Sequence, residues 1–160
     1  MACPICGFNP KGLAPSDAVA ALRSFPRRFT ELVEGKEDEG ARSDDAEAVS
    51  RAAALPAAEG AARTIAALAA DVRRVLVEDD PALSTTSDPG APVAGAGDDA
   101  LEHLREATSA LAELASSAHG KDWERRGRRG DDSVSALELL DEAVHSGAHH
   151  LHAATLAIGH

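Results

Sequence analysis

The sequence predicts an all-α fold, an antiparallel four-helix bundle, and three observations carry that expectation. Hydrophobic residues make up 44% of the chain but aromatics only 2%, so a core must come from Leu, Val and an excess of Ala. Such small side chains favour closely packed helices, whereas strands draw on the Tyr, Phe, Ile and Thr that this chain largely lacks. Four segments carry apolar residues at the three-and-four spacing of a helix face, and the long polar or Pro/Gly-rich stretches between them, with no sustained heptad pattern, argue against a coiled coil. At 160 residues the chain matches the size of one domain, expected over residues 1–160 with a cysteine-bearing N-terminal segment at 1–14.

Each helix has its own justification. The first opens at Pro15 and Ser16, with Ser16 as N-cap, and runs toward Val33 along a stripe of Val19, Leu22, Phe25, Phe29, Leu32 and Val33. Pro26 lies inside the stripe and removes a backbone donor, which predicts a kink or break. The acidic, apolar-poor segment from Glu34 to Glu47 reads as a loop. The second helix is clearest from Ala57 to Val77, with Pro56 in its first turn and Ala62, Ile65, Ala69, Val72 and Leu76 as its stripe. From Asp79 to Gly97 the Pro, Gly, Ser and Asp punctuation predicts a long loop, the most mobile part of the chain. Asp98 or Asp99 caps a third helix with Leu101, Leu104, Thr108, Leu111 and Ala115 inward and Gly120 as its C-terminal cap. The fourth carries the strongest local signature, a capping box of Ser135 and Glu138 inside a staple of Val134 and Leu139. It is expected to run to about Ala157 and to bury Leu137, Leu140, Val144 and Leu151.

Charge narrows the function classes. Lys and Arg number 16 against 27 Asp and Glu, a net charge of −11, which opposes binding to nucleic-acid backbones or anionic membranes. No apolar run approaches the ~20 residues of a membrane span, and MACPICGFNP lacks the basic-then-apolar order of a secretory signal. A cytoplasmic location is the default expectation. In that compartment, Cys3 and Cys6 at CxxC spacing point to metal or redox chemistry before a structural disulfide.

The metal reading is the stronger of the two, because a thioredoxin-like βαβ context is absent from the sequence. In CPICGF the tight turn aims backbone N–H groups at sulfur, and Gly7 tolerates the left-handed conformation after the second ligand. Two cysteines supply half a zinc site. His145 and His149, one helical turn apart, supply a second half, with His152 one turn further and His150 about 100° around the axis. Joined, Cys3, Cys6, His145 and His149 make one tetrahedral Cys2His2 site for zinc or another divalent metal. The alternatives are that the two pairs lie far apart, or that zinc bridges a homodimer through paired CPICG segments. Asp71 and Glu59, the acids within or beside the apolar part of helix 2, are further ligand candidates, although solvated positions are the simpler expectation for both. Arg125, Arg126, Arg128 and Arg129 beside Trp123 could receive an anionic ligand or a small acidic thiol; a solvated loop around one buried Trp is the simpler reading.

These pieces together resemble the DinB-like family of four-helix-bundle proteins, in particular actinobacterial members that begin with a CxxCGF segment. The matching pieces are CPICGF (3–8), ALRSFPRRF (21–29), VEDDP (77–81), DWERRG (122–127) and AVHSGAHHL (143–151), in family order along nearly the whole chain. The resemblance implies kinship with thiol-dependent transferases that include mycothiol-dependent maleylpyruvate isomerase. It also implies a divalent metal held by one His on helix 2 and an HxxxH pair on helix 4. The pair falls on His145 and His149. The helix 2 ligand falls near Gly60 and has no counterpart, since no His precedes His103. With that ligand missing, the cysteines become its replacement and the site becomes a closed, structural one; a metal-dependent S-transferase using a mycothiol-type thiol is the alternative.

Overall fold

The computed structural model describes residues 2–9, 13–35 and 44–159, and four helices build it. They are α1 (Pro15–Glu34), α2 (Asp44–Val77), α3 (Asp99–Ser117) and α4 (Ala136–Ile158). α2 packs on α3 and on α4 most extensively, and α1 packs on both of those helices as well, so the four share one core. Among the described residues, no helix is long and apolar enough to cross a membrane.

α1 buries Ala18, Leu22, Phe25, Phe29 and Val33, while Val19 and Leu32 lie at the edge of the core. Its start corrects the expected cap: Pro15 occupies the first turn and the N-cap is Ala14, with no side-chain hydrogen bond, so Ser16 is already inside the helix. The expected break at Pro26 does not occur. Phe25 and Phe29, both almost fully buried, anchor the chain on either side of Pro26. Each contributes about 1.5–3 kcal/mol of burial, comparable to the ~3 kcal/mol an interior proline costs.

α2 is longer than expected, because it begins at Asp44, which places Pro56 in its interior rather than its first turn. The expected loop at 34–47 is correspondingly shorter, and 36–43 of it lies outside the described residues. The extension is rich in Ala, and Ser50, Ala54 and Leu55 are buried along it. Tertiary contact thus offsets the missing N–H at Pro56, and the Pro56 carbonyl accepts a hydrogen bond from Val93 N at 2.9 Å.

α3 begins after Asp98, whose side chain makes no capping bond, and its C-terminal cap is Ala118 rather than Gly120. Leu104, Thr108, Leu111 and Ala115 are buried as expected. α4 starts as the sequence dictates: Ser135 Oγ accepts from Glu138 N at 3.1 Å, and Ser135 N donates to Glu138 Oε2 at 2.9 Å. Val134 and Leu139 are both buried, which completes the staple. Leu140, Val144 and Leu151 are buried and Leu137 is partly so.

The arginine-rich segment is not a solvated loop but carries a small two-stranded sheet within a mostly helical fold. A 3-10 turn (Gly120–Glu124) buries Trp123 and leads into an antiparallel hairpin of β1 (Arg126–Arg129) and β2 (Asp132–Ser135). Arg129 pairs with Asp132, so Gly130 and Asp131 form a two-residue turn. Pro81–Leu83 lies along the open edge of β1, with Leu83 N donating to Arg128 O and Arg128 N to Pro81 O, both at 2.7 Å. Arg125 donates to the carbonyls of Val75 and Glu78, groups that the end of α2 leaves without helical partners.

The segment from Asp79 to Gly97, expected to be the most mobile, is tied down along its length. Asp71, 1% exposed, accepts hydrogen bonds from the backbone and hydroxyl groups of both Ser84 and Thr85. Further along, Pro89 O accepts from Ser146 Oγ at 2.7 Å and faces His150 Nε2 at 3.1 Å. Gly60 permits that approach: a Cβ there would lie 2.4 Å from Ala91 O and 2.9 Å from His150 Cε1.

Candidate metal centre

Two local structures, far apart in sequence, meet at one edge of the bundle. The first is the CPICGF turn. Gly7 N donates to Cys3 O at 2.8 Å and Cys3 N donates to Phe8 O at 2.7 Å, which folds both cysteines onto one side of a tight loop. Gly7 sits at φ +74°, the left-handed region that the turn requires and that L side chains disfavour. The second is the α4 face at His145 and His149. Phe8 joins the two, its ring stacked on His145 at 5.4 Å between centroids and 7° between planes. The imidazoles of His145 and His149 stand edge to face, 5.7 Å apart.

Cys3, Cys6, His145 and His149 each offer one donor atom, and these four atoms all lie within 4.8 Å of one another. Tetrahedral zinc with bonds of ~2.0–2.3 Å holds its ligands roughly 3.3–3.8 Å apart, so the cluster needs only small contraction around an ion. The chemistry of the donors fits as well. His145 Nε2 and His149 Nδ1 are buried without a hydrogen-bond partner. An orphaned imidazole nitrogen in such a position costs ~1–3 kcal/mol unless a proton donor or a metal satisfies it. The four residues could therefore hold a metal ion, and the set is closed, with two sulfur and two nitrogen donors.

Electrostatics favours the metal-ready form at Cys3 and His145 and opposes it at Cys6. Backbone N–H groups of Cys6 and Ile5 beside Cys3 Sγ hold its thiol below the ordinary value, the effect expected of a turn that aims N–H groups at sulfur. Burial pushes the Cys6 thiol up, so Cys3 ionises first and Cys6 is the donor whose proton a bound cation would have to displace to solvent. Burial, followed by the neighbouring His149, holds His145 below the usual imidazole range and keeps it neutral, the form that ligates.

The other candidates are placed elsewhere. His152 is partly exposed and outside the cluster. His150 is 1% exposed, bonded to the loop at Pro89, and packed edge to face on His149 at 5.9 Å. Asp71 and Glu59 are neither metal ligands here nor solvated; both are buried. Asp71 anchors the loop as described, while Glu59 Oε2 meets His103 Nδ1 at 2.8 Å and Glu59 Oε1 accepts from Arg63 at 3.3 Å. Burial works to raise the Glu59 carboxyl, but those two partners outweigh it and hold it below its ordinary value. Three of the four arginines are committed to carboxylates of their own chain: Arg125 to Asp79, Arg128 to Asp80, and Arg129 through two 2.8 Å hydrogen bonds to Glu142.

Two features of the site escaped sequence reasoning. The Phe8 stack was invisible, although an aromatic directly after the second cysteine and its glycine is the signal that could have suggested it. The burial of His150 was also missed, because helical periodicity places it off the face of His145 and His149 without saying which neighbour covers it. Comparison with protein-family models, with curated proteins and with solved structures finds no match for the chain.

Proposed function

We propose that this chain is a zinc-binding helical bundle of the DinB-like type, in which Cys3, Cys6, His145 and His149 hold one zinc ion as a structural clasp between the cysteine turn and α4. The observation that carries the reading is the convergence of all four donor atoms within 4.8 Å, with two imidazole nitrogens buried and otherwise unpartnered. Two thiolates and two neutral imidazoles match the donor preference of zinc and leave it no open position. Bound there, the ion supplies cross-linking rather than chemistry. The chain's own residues do the positioning: Gly7 closes the turn, Phe8 orients His145, and the helical register sets the spacing of His145 and His149.

A mycothiol-type S-transferase would need an exchangeable position at the metal, and the four-donor set supports that reading less well. Gly60, where the resemblance would place a third histidine, is instead covered by Ala91 and His150. The test is metal content per chain, by elemental analysis of protein purified with zinc. The proposal expects one zinc in the native sequence and loss of it in both the Cys3→Ser/Cys6→Ser and the His145→Ala/His149→Ala pairs. Full zinc occupancy in the double cysteine variant would contradict it. Metal-dependent turnover of a thiol with an electrophile, abolished by His149→Ala while the helical fold persists, would favour the transferase.

A further inference from the structure

We infer that Cys3 and Cys6 form a peroxide-responsive dithiol, whose oxidation to a disulfide releases the metal and unfastens the cysteine turn from α4. The inference rests on the zinc-clasp reading and adds its regulation. Three structural facts carry it. The two sulfurs lie within 4.8 Å of each other in a four-residue turn, close enough for a bond of about 2.05 Å after a side-chain rotation. Both cysteines are partly exposed, and Pro4 and Ile5 between them are exposed, Ile5 by 60%, so a small oxidant reaches sulfur without opening the bundle. The sulfurs are also half of the donor set. Oxidation leaves only His145 and His149, and two imidazoles one turn apart hold zinc far more weakly than the complete site.

The chemistry balances with hydrogen peroxide as the named oxidant. One thiolate attacks a peroxide oxygen, the O–O bond breaks, and a sulfenic acid and hydroxide form. The second thiolate displaces hydroxide from the sulfenic sulfur, and the S–S bond forms. Each sulfur gives up one electron, the peroxide oxygens take both, and the two hydroxides collect two protons from solvent as water. The zinc ion leaves without changing its oxidation state. A dithiol reductant reverses the exchange and regenerates both ligands. The oxidised turn no longer has a metal bond to α4, and the Phe8 ring stacked on His145 is left between them.

The experiment treats the full-length, zinc-loaded protein with increasing hydrogen peroxide. Released zinc is read with a chromophoric chelator and the intact mass is read in parallel. The expected result is one zinc released per chain, together with a mass decrease of ~2 Da for the two hydrogens lost in disulfide formation. Dithiothreitol and zinc should restore the starting state. Cys3→Ser should give no such mass change. If the protein binds one zinc but retains it and both thiols at a peroxide excess that fully oxidises the metal-free protein, the redox inference falls and the clasp stands. Release accompanied by sulfinic acid instead of a disulfide also overturns it. If the reduced protein binds no zinc at all, both readings fail.

Discussion

If Cys3, Cys6, His145 and His149 hold zinc as proposed, removing the metal should loosen this protein without unfolding it, and the size of the effect follows from the structure. A small zinc domain collapses without its ion because the ion is most of its core. Here the core is independent of the site: Leu22, Phe25, Phe29, Ile65, Leu68, Leu104, Leu111, Leu139 and Leu140 are all buried to within 1% exposure and none is a ligand. A metal bound at the proposed site would therefore add a linkage term. At free zinc a hundredfold above Kd the native state gains about 2.7 kcal/mol. In a domain of this length, 1 kcal/mol moves Tm by roughly 2–4 °C, so chelation should lower Tm by about 5–11 °C. The assay is differential scanning calorimetry with and without a chelator, with helicity followed by far-ultraviolet circular dichroism. His149→Ala in excess zinc should melt with the chelated native protein, and its helical signal at 25 °C should be unchanged. An unchanged Tm on chelation would refute the linkage argument. Wholesale loss of helix would refute the claim that the core stands alone.

Other substitutions test the frame around the site. Gly147→Ala gains about 1 kcal/mol of helix propensity, but its Cβ would lie 2.2 Å from Cε2 of the fully buried Phe25. Overpacking at ~1–3 kcal/mol should outweigh that gain at so short a contact, so urea denaturation should show a net loss of up to about 2 kcal/mol. Asp71→Ala strands the backbone donors of Ser84 and Thr85; a loss of about 2–4 kcal/mol and new proteolytic cleavage between 82 and 97 are expected. Burial, then Glu138 and Glu142, pushes the Asp141 carboxyl up to about 6. A carboxyl raised on folding binds its proton more tightly in the native state, so it weakens the fold as pH rises from about 4 to 6 and that loss persists above. Asp141→Asn should therefore be more stable than the native sequence at pH 7.5, by ~1 kcal/mol once partial solvent access is discounted, with the difference gone near pH 4. Chemical denaturation of both forms in chelator at the two pH values measures it.

How much the sequence disclosed depends on whether the signal is local. The start of α4 was legible because a capping box and a staple are complete within six residues, from Val134 to Leu139. The four candidate ligands were legible because turn geometry and helical spacing each fix one pair, although only the folded chain could bring Cys3 and Cys6 to His145 and His149. The early start of α2 was not legible, since Ala-rich sequence lacks a strong apolar stripe and Pro56 looked like a beginning. Its continuation depends on burial of Ser50, Ala54 and Leu55 by the rest of the fold. The hairpin had a usable cue, Gly130 and Asp131 as a two-residue turn between RGRR and DSVS, but four consecutive basic-rich residues resemble a solvated loop until Glu142, Asp80 and the end of α2 are seen to receive them. The acids Asp71 and Glu59 read as solvated because burying a carboxylate is costly; Ser84, 13 residues from Asp71, and His103, 44 residues from Glu59, lie beyond any local pattern, and Arg63 is the one local partner of Glu59.

The most direct test of the central claim is X-ray absorption at the zinc edge on the zinc-loaded, reduced protein. An intrachain clasp gives a first shell of two sulfur atoms at about 2.3 Å and two imidazole nitrogens at about 2.0 Å, with no bound water. A shell of nitrogen and oxygen without sulfur would mean that the cysteine turn does not belong to the site, and four sulfurs would mean that two chains share one ion through their CPICG turns; either result would contradict the intrachain clasp.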